Sequence, residues 1–254
     1  MLSTVSNIIK RHPLPTFFIL AYVLSWCLVP WIGPSLQPWG PALAALMVIA
    51  LTEGKPGLKS WLGQIGRWWV GLKWYILALS LPILISLGAA WLNVLFGATS
   101  SPLEPWYNFL LLIPLFLVIG GEWEEPGWTG YALPRLQMSR SALVASLILS
   151  IFRVGWHLPL FLYGSIPGSD LLFIIAAQIV ITWLYNSTKR SVFIVMALHL
   201  MMNVSGEFFG LMFSGGEAVN FAWLKAGLFS LVAISAIIWT GPTHLLSKRG
   251  QRPS

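Results

Sequence analysis

Charge is scarce in this sequence, and cysteine is nearly absent. Only 9% of the 254 residues are charged, and there is one cysteine. A soluble domain carries about a quarter charged residues. A soluble fold of this size could not hide the 57% of residues that are hydrophobic. Composition therefore excludes a soluble enzyme and a disordered chain, and the single Cys27 excludes a disulfide-stapled secreted domain. Cys27 lies in an apolar run and reads as a small hydrophobe, buried or facing lipid. Acid is scarcer than base, with 8 Asp+Glu against 15 Lys+Arg and a formal net charge of +7. In so apolar a chain the excess base belongs in cytoplasmic loops, and no nucleic-acid partner is expected. No clean small-x-small cleavage site follows Lys10, Arg11 and the apolar stretch after them, so a retained first span is expected. No repeat, low-complexity tract or second domain is visible. The expectation is a single integral membrane domain over residues 1–254.

What the sequence does have is apolar length. Mean hydropathy is +0.77, and the 15 Trp and 17 Pro suit membrane interfaces and membrane helices. Apolar stretches fall at about 14–32, 38–52, 74–96, 106–121, 141–162, 170–186, 191–213 and 221–240. The second is short for a span. The fold class expected is all-α, a polytopic membrane helical bundle of about eight transmembrane helices. With the N-terminus placed in the cytoplasm and the spans alternating, 13 of the 15 basic residues fall inside. They are Lys10, Arg11, Lys55, Lys59, Arg67, Lys73, Arg135, Arg140, Lys189, Arg190, Lys248, Arg249 and Arg252. Outside fall Glu104, Asp170 and Glu217, with Lys225 as the one base. This asymmetry predicts a multi-pass protein of the cell membrane with both termini cytoplasmic. The basic tail from Thr243 to Ser254 reads as part of that signal. Between the second and third spans, residues 55–73 place Trp61, Leu62, Ile65, Trp68, Trp69 and Leu72 at helical spacing among basic residues. That pattern predicts an amphipathic helix on the cytoplasmic leaflet.

Ionisable groups inside spans are costly and call for a reason. Glu122, Glu124 and Glu125 close the fourth span. Arg153 and His157 share a face of the fifth, four residues apart. His199, Asn203 and Glu207 form a stripe along the seventh. Measured from the turn near Ser139–Arg140, Glu124 and His157 lie about 23 and 26 Å along antiparallel helices, nearly level if both helices are continuous. Gly120–Gly121, Pro126 and Pro134 are places where the first could break. A carboxylate level with one histidine and opposite a His/Asn pair suits hydrolysis. The carboxylate can take a proton from water, and the second histidine and the amide can donate to a developing oxyanion. In a low-dielectric setting such a base needs cationic or hydrogen-bonding neighbours to stay ionised. Glu122 reads as a rim residue and Glu207 as structural. Gly206 and Gly210 read as a helix-packing pair.

These residues resemble the CAAX prenyl protease and bacteriocin-processing family of intramembrane proteases, known as CPBP or Abi. Its motifs are EExxxR, FxxxH and HxxxN. Here the first is Glu124-Glu125-Pro126-Gly127-Trp128-Thr129, continued by Gly130-Tyr131-Ala132-Leu133-Pro134-Arg135-Leu136, a continuation typical of bacterial members. The second is Arg153-Val154-Gly155-Trp156-His157, followed by Leu158-Pro159. The third is His199-Leu200-Met201-Met202-Asn203. The resemblance covers about 105–210, with the motifs in order. It implies an intramembrane endopeptidase cutting near the C-terminus of a hydrophobic or lipidated peptide, with the lipid bilayer as its setting. Glu124 and Glu125 would be the catalytic carboxylates, with Glu124 the general base. His157 would be its partner on the attacking water, and His199 and Asn203 the oxyanion site. No cofactor and no metal are expected: zinc catalysis needs three ligands beside the base, and none appears at HExxH-like spacing. Two positions depart from the pattern. Thr129 stands where EExxxR has arginine, and Arg153 stands where FxxxH has its aromatic. One arginine has gone and another has appeared on a neighbouring helix, so Arg153 is a candidate for charge compensation. A snorkelling Arg153 in a decayed site is the alternative. Two other functions remain open. Thr129 favours a catalytically weak scaffold or bacteriocin-immunity factor. A transporter with a proton relay is disfavoured by the absence of repeated halves.

Overall fold

The computed structural model describes Asn7 and residues 9–246. Lys248, Arg249 and Arg252 of the basic tail lie outside the described residues. Among the described residues the ordered elements are all helical: α1 (Pro13–Trp26), α2 (Gly40–Thr52), α3 (Gly54–Ile65), α4 (Leu72–Leu95), α5 (Trp106–Ile119), α6 (Ala142–Trp156), α7 (Ser169–Ser187), α8 (Val192–Gly210) and α9 (Gly215–Thr240). Short helical turns at Val29–Ile32 and Leu158–Leu162 extend α1 and follow α6. Each of the eight expected apolar stretches contains a helix. Six stretches among the described residues are long and apolar enough to cross a membrane, while α2 and α6 are shorter apolar helices. The chain is a multi-pass membrane protein.

Local chemistry sets the helix ends. Ser141 and Ser191 cap α6 and α8, each accepting from a backbone N–H three residues on, at 3.3 Å. Prolines begin α1 and α2, where a missing N–H costs nothing. The long outward faces stay apolar and exposed, as at Trp91, Val118, Ile238 and Trp239. In lipid that exposure is what a span requires.

The fourth apolar stretch does not continue as one helix. After α5 the chain passes through a 3-10 turn (Gly121–Glu124), a turn of α-helix (Glu125–Gly127), a π-helical turn (Trp128–Ala132) and a last helical turn (Leu133–Gln137). From Glu124 to Leu133 every residue is buried. Irregular backbone at membrane depth survives only when protein surrounds it. Here α1 packs Phe17 edge-on against Trp128, with ring centroids 5.4 Å apart. α2 comes so close that a Cβ on Gly127 would lie 2.3 Å from the Pro41 carbonyl oxygen. Phe18 of α1 stacks on Phe152 of α6 at 3.7 Å, joining the two walls.

The segment 55–73 differs from its expectation. It is helical only through Ile65, and its apolar side turns inward. Trp61 is buried, with Leu58 and Ile65 packed on the same core. The Trp61 indole donates to the Pro126 carbonyl at 2.8 Å, and Tyr185 donates to Gln64 at 2.6 Å. Of the expected lipid face, Trp61 and Ile65 turn inward to the core, and Trp61 covers the irregular segment. Leu62, Trp68, Trp69 and Leu72 remain exposed. Cys27 is exposed on the apolar surface.

Trp61→Phe keeps the ring and removes the donor to Pro126. It is expected to cost about 1 kcal/mol of unfolding free energy in detergent, measured by denaturant titration. Leu62→Ala, on the exposed side of the same helix, is expected to leave that value unchanged.

Candidate active site

Lipid-spanning helices rarely bury carboxylates, yet Glu122, Glu124 and Glu125 are 1%, 3% and 0% exposed. The irregular backbone places them. Glu124 ends the 3-10 turn and Glu125 begins the next helical turn, so their side chains leave adjacent positions of a tight coil. Both meet Arg153, which α6 presents from its last turn. Its Nη2 donates to Glu125 Oε1 at 2.8 Å and to Glu124 Oε2 at 3.3 Å. Its Nη1 donates to Gln178 Oε1 of α7 at 3.0 Å. Arg153 is itself 4% exposed, so it does not snorkel to a headgroup region.

Further donors reach the same pair. Thr129 donates to Glu125 Oε2 at 2.5 Å, and the Trp128 indole donates to Glu124 Oε2 at 3.1 Å. His199 of α8 places Nδ1 at 2.7 Å from Glu125 Oε1. A carboxylate with an arginine already on it accepts, so Nδ1 carries the proton and Nε2 is left free. Glu124 Oε1 and His199 Nε2 close on the same side of Gly121. A Cβ on Gly121 would come within 2.7 Å of the first and 2.8 Å of the second. Glycine thus lets a carboxylate oxygen and an imidazole nitrogen converge on one stretch of backbone.

His157 does not bond to Glu124 among the described residues. The levels along two continuous helices do not apply, because the first helix is broken and α6 ends at Trp156. Instead His157 Nδ1 lies 2.8 Å from the Arg153 carbonyl oxygen. A carbonyl only accepts, so this histidine too carries its proton on Nδ1 and turns an unprotonated Nε2 outward. α1 steadies this helix end: Trp26 donates to the Trp156 carbonyl at 2.9 Å and Tyr22 to that of Phe152 at 2.7 Å. Asn203 stands one turn beyond His199 on α8, half-buried, with no hydrogen bond among the described residues.

Three features were not foreseen. Glu122 is no rim residue: it is buried, folds back toward Gly120, and its oxygens find no partner among the described residues. Glu207 does not join the stripe with His199; it is exposed, and its charge acts on Lys225 instead. Gln178 was missed. A lone glutamine in an apolar helix is legible as an oddity, but only the fold brings it to Arg153. It donates onward to Thr182 at 3.2 Å, and Ser146 donates to the same hydroxyl at 2.7 Å. A buried polar thread thus runs from the site into the α6–α7 interface. Among the described residues no three His, Cys, Asp or Glu side chains form a metal-ligand set.

Comparison with known proteins agrees with the motifs. Residues 105–205 match the family model described as Rce1-like, type II CAAX prenyl endopeptidase Rce1-like. The CAAX prenyl protease 2 of Methanococcus maripaludis is 25% identical over 135 residues, covering 48% of this chain and 48% of that protein. The chain therefore spans about half the length of the curated relative it matches. The resemblance read from the three motifs holds over the segment that carries them.

Removing Arg153 leaves two buried carboxylates facing each other. Arg153→Ala is expected to cost about 3–5 kcal/mol of unfolding free energy in detergent. Gln178→Leu removes the acceptor for Arg153 and the donor to Thr182 but no charge, and is expected to cost about 1–3 kcal/mol by the same measurement. An Arg153→Ala loss no larger than that of Gln178→Leu would show that the guanidinium does not neutralise the pair.

Proposed function

We propose that this chain is an intramembrane endopeptidase that hydrolyses a peptide bond near the C-terminus of a hydrophobic or lipidated peptide. The observation that carries the reading is the convergence of Glu124 Oε1 and His199 Nε2 beside Gly121. A water held by this pair can give its proton to Glu124 while its oxygen attacks the scissile carbonyl. His199 is suited to the next step. With Nδ1 on Glu125, a proton at Nε2 would be supported by that carboxylate, and the imidazolium could donate to the tetrahedral oxyanion. Asn203, with its amide unengaged one turn away, supplies a second donor. His157 presents a free Nε2 that can hold or relay the water's other proton. On collapse the scissile C–N bond breaks, the proton taken by Glu124 passes to the leaving amine nitrogen, and the water oxygen stays on the carbonyl carbon as part of the new carboxyl group.

The proposal needs no metal. Arg153 already holds one oxygen of each carboxylate, and its charge opposes a divalent cation beside them. Arg153 supplies the positive charge that EExxxR would deliver from position 129, and Thr129 keeps a hydrogen bond on Glu125 in its place. This favours an active site over the scaffold or immunity factor that Thr129 first suggested. The comparisons support peptidase chemistry at the level of the family; the prenyl group on the substrate and the cytoplasmic placing of both termini belong to the proposal.

Purified protein with fluorogenic hydrophobic peptides, prenylated and unprenylated, tests the mechanism. Glu124→Gln is expected to lower kcat by about 10²-fold or more, and His199→Ala by about 10²–10³-fold. Gly121→Ala, whose methyl would push Glu124 Oε1 and His199 Nε2 aside, is expected to abolish turnover while leaving the fold intact. Turnover that survives both Glu124→Gln and His199→Ala would remove the mechanism.

The exchange of arginines has its own test. Arg153→Phe is expected to lose activity, and the double change Arg153→Phe/Thr129→Arg, which restores the family pattern, is expected to recover most of it. A double variant no better than Arg153→Phe would separate Arg153 from the charge role assigned to it.

A further inference from the structure

A second polar site lies at the other end of the bundle, away from Arg140 and Arg190, and the peptidase reading does not use it. Lys225 sits in α9, about 15 Å along the helix from Gly215. Helical side chains lean toward the helix N-terminus, so this one reaches back toward the ends of α7 and α8. Its position is tightly set. Nζ lies 4.7 Å from the centroid of the Phe173 ring, and a Cβ on Gly206 would approach it to 3.2 Å. Gly206 thus makes room for an ammonium, while Gly210 makes room for the Phe221 ring.

Lys225 is an amine at membrane depth that rests on the Phe173 ring and has no hydrogen-bond partner among the described residues. Among the described residues it forms no ion pair. The charges of Asp170, at the start of α7, and Glu207, near the end of α8, act on it from beyond contact. Lys225, Asp170 and Ser165 line one cavity of about 400 Å³, which Phe221 and Gly210 close from below. A cation in this setting calls for a negative group in contact, and the cavity offers the room. A plain anion fits poorly, because Asp170 lines the same space. A plain cation fits poorly, because Lys225 lines it too. A group carrying both signs satisfies both residues, its anionic end on Lys225 and its cationic end on Asp170.

The geometry points to a binding site for the zwitterionic headgroup of a phospholipid bearing a primary ammonium, phosphatidylethanolamine chemistry. Its phosphate meets Lys225. Its ammonium has N–H donors for Asp170, whereas the trimethylammonium of phosphatidylcholine has none. Phosphatidylglycerol brings the phosphate without a cation. Glu207 is exposed on α8, which leaves that side open to the bilayer from which such a lipid would enter.

The full chain in detergent, supplemented with each lipid in turn, tests this by native mass spectrometry. Phosphatidylethanolamine is expected to be retained at least about tenfold better than phosphatidylglycerol or phosphatidylcholine. Lys225→Met is expected to remove that retention. Equal retention of phosphatidylglycerol, or unchanged retention by Lys225→Met, would overturn the assignment. A rise in melting temperature with inorganic phosphate alone, matching that with phosphatidylethanolamine, would show a simple anion site and overturn it as well. Should Lys225→Met not fold, Asp170→Asn serves in its place. It is expected to lose the preference over phosphatidylglycerol, and an unchanged preference would count against the assignment.

Discussion

The guanidinium of Arg153 lies between two carboxylates that have almost no access to water. Neither Glu124 nor Glu125 could be buried beside the other as an ion without a cation in contact, because each would be both desolvated and repelled. That requirement organises the surrounding structure. Arg153 must itself be held, and Gln178 accepts from its other nitrogen. Gln178 must in turn be satisfied, which brings in Thr182 and Ser146. The same residue also anchors His157 through its backbone carbonyl. Charge balance and histidine placement therefore depend on one turn of α6.

The second constraint is backbone. Glu124 and Glu125 reach Arg153 and His199 because the chain between α5 and α6 is not a regular helix. Its tight and wide turns would expose polar groups to lipid if left open. The small side chains at Gly127 and Gly130 let α2 and α3 approach closely, and Trp61 spends its indole donor on the Pro126 carbonyl. The helix at 54–65 is thus better understood as a cover for this segment than as a float on the membrane.

Much of this was legible in the sequence because membrane burial is written in composition. Apolar stretches of the right length, ended by Ser, Pro and Gly, located every helix that bears a site residue. The rarity of ionisable groups inside them singled out Glu124, Glu125, Arg153, His157, His199 and Asn203. What escaped was whatever depends on the break after Ile119. Helical arithmetic placed Glu124 level with His157, whereas the broken coil turns both glutamates to Arg153 and His199. The inward face of α3 escaped for a related reason: an apolar stripe shows that one side is dry, not whether lipid or protein dries it. Glu122 escaped because its burial comes from the 3-10 turn folding back on Gly120. Gln178 carries no motif, so only packing identifies its partner.

The exchange of arginine positions changes more than the source of a charge. An arginine at 129 would sit one turn from Glu125 on the same segment, and its ion pair would stiffen that turn alone. Arg153 comes from another helix, so its ion pairs tie α6 to the segment bearing the carboxylates. Because His157 hangs from the Arg153 carbonyl, any shift of α6 against that segment moves His157 and the guanidinium together. The separation between histidine and carboxylates is then governed by one rigid turn rather than by the packing of two helices. Thr129 suits this arrangement, since it is small enough to leave Glu125 to the incoming guanidinium and still donates to its free oxygen. The two departures from the motif pattern are in this sense one change, and each is intelligible only with the other.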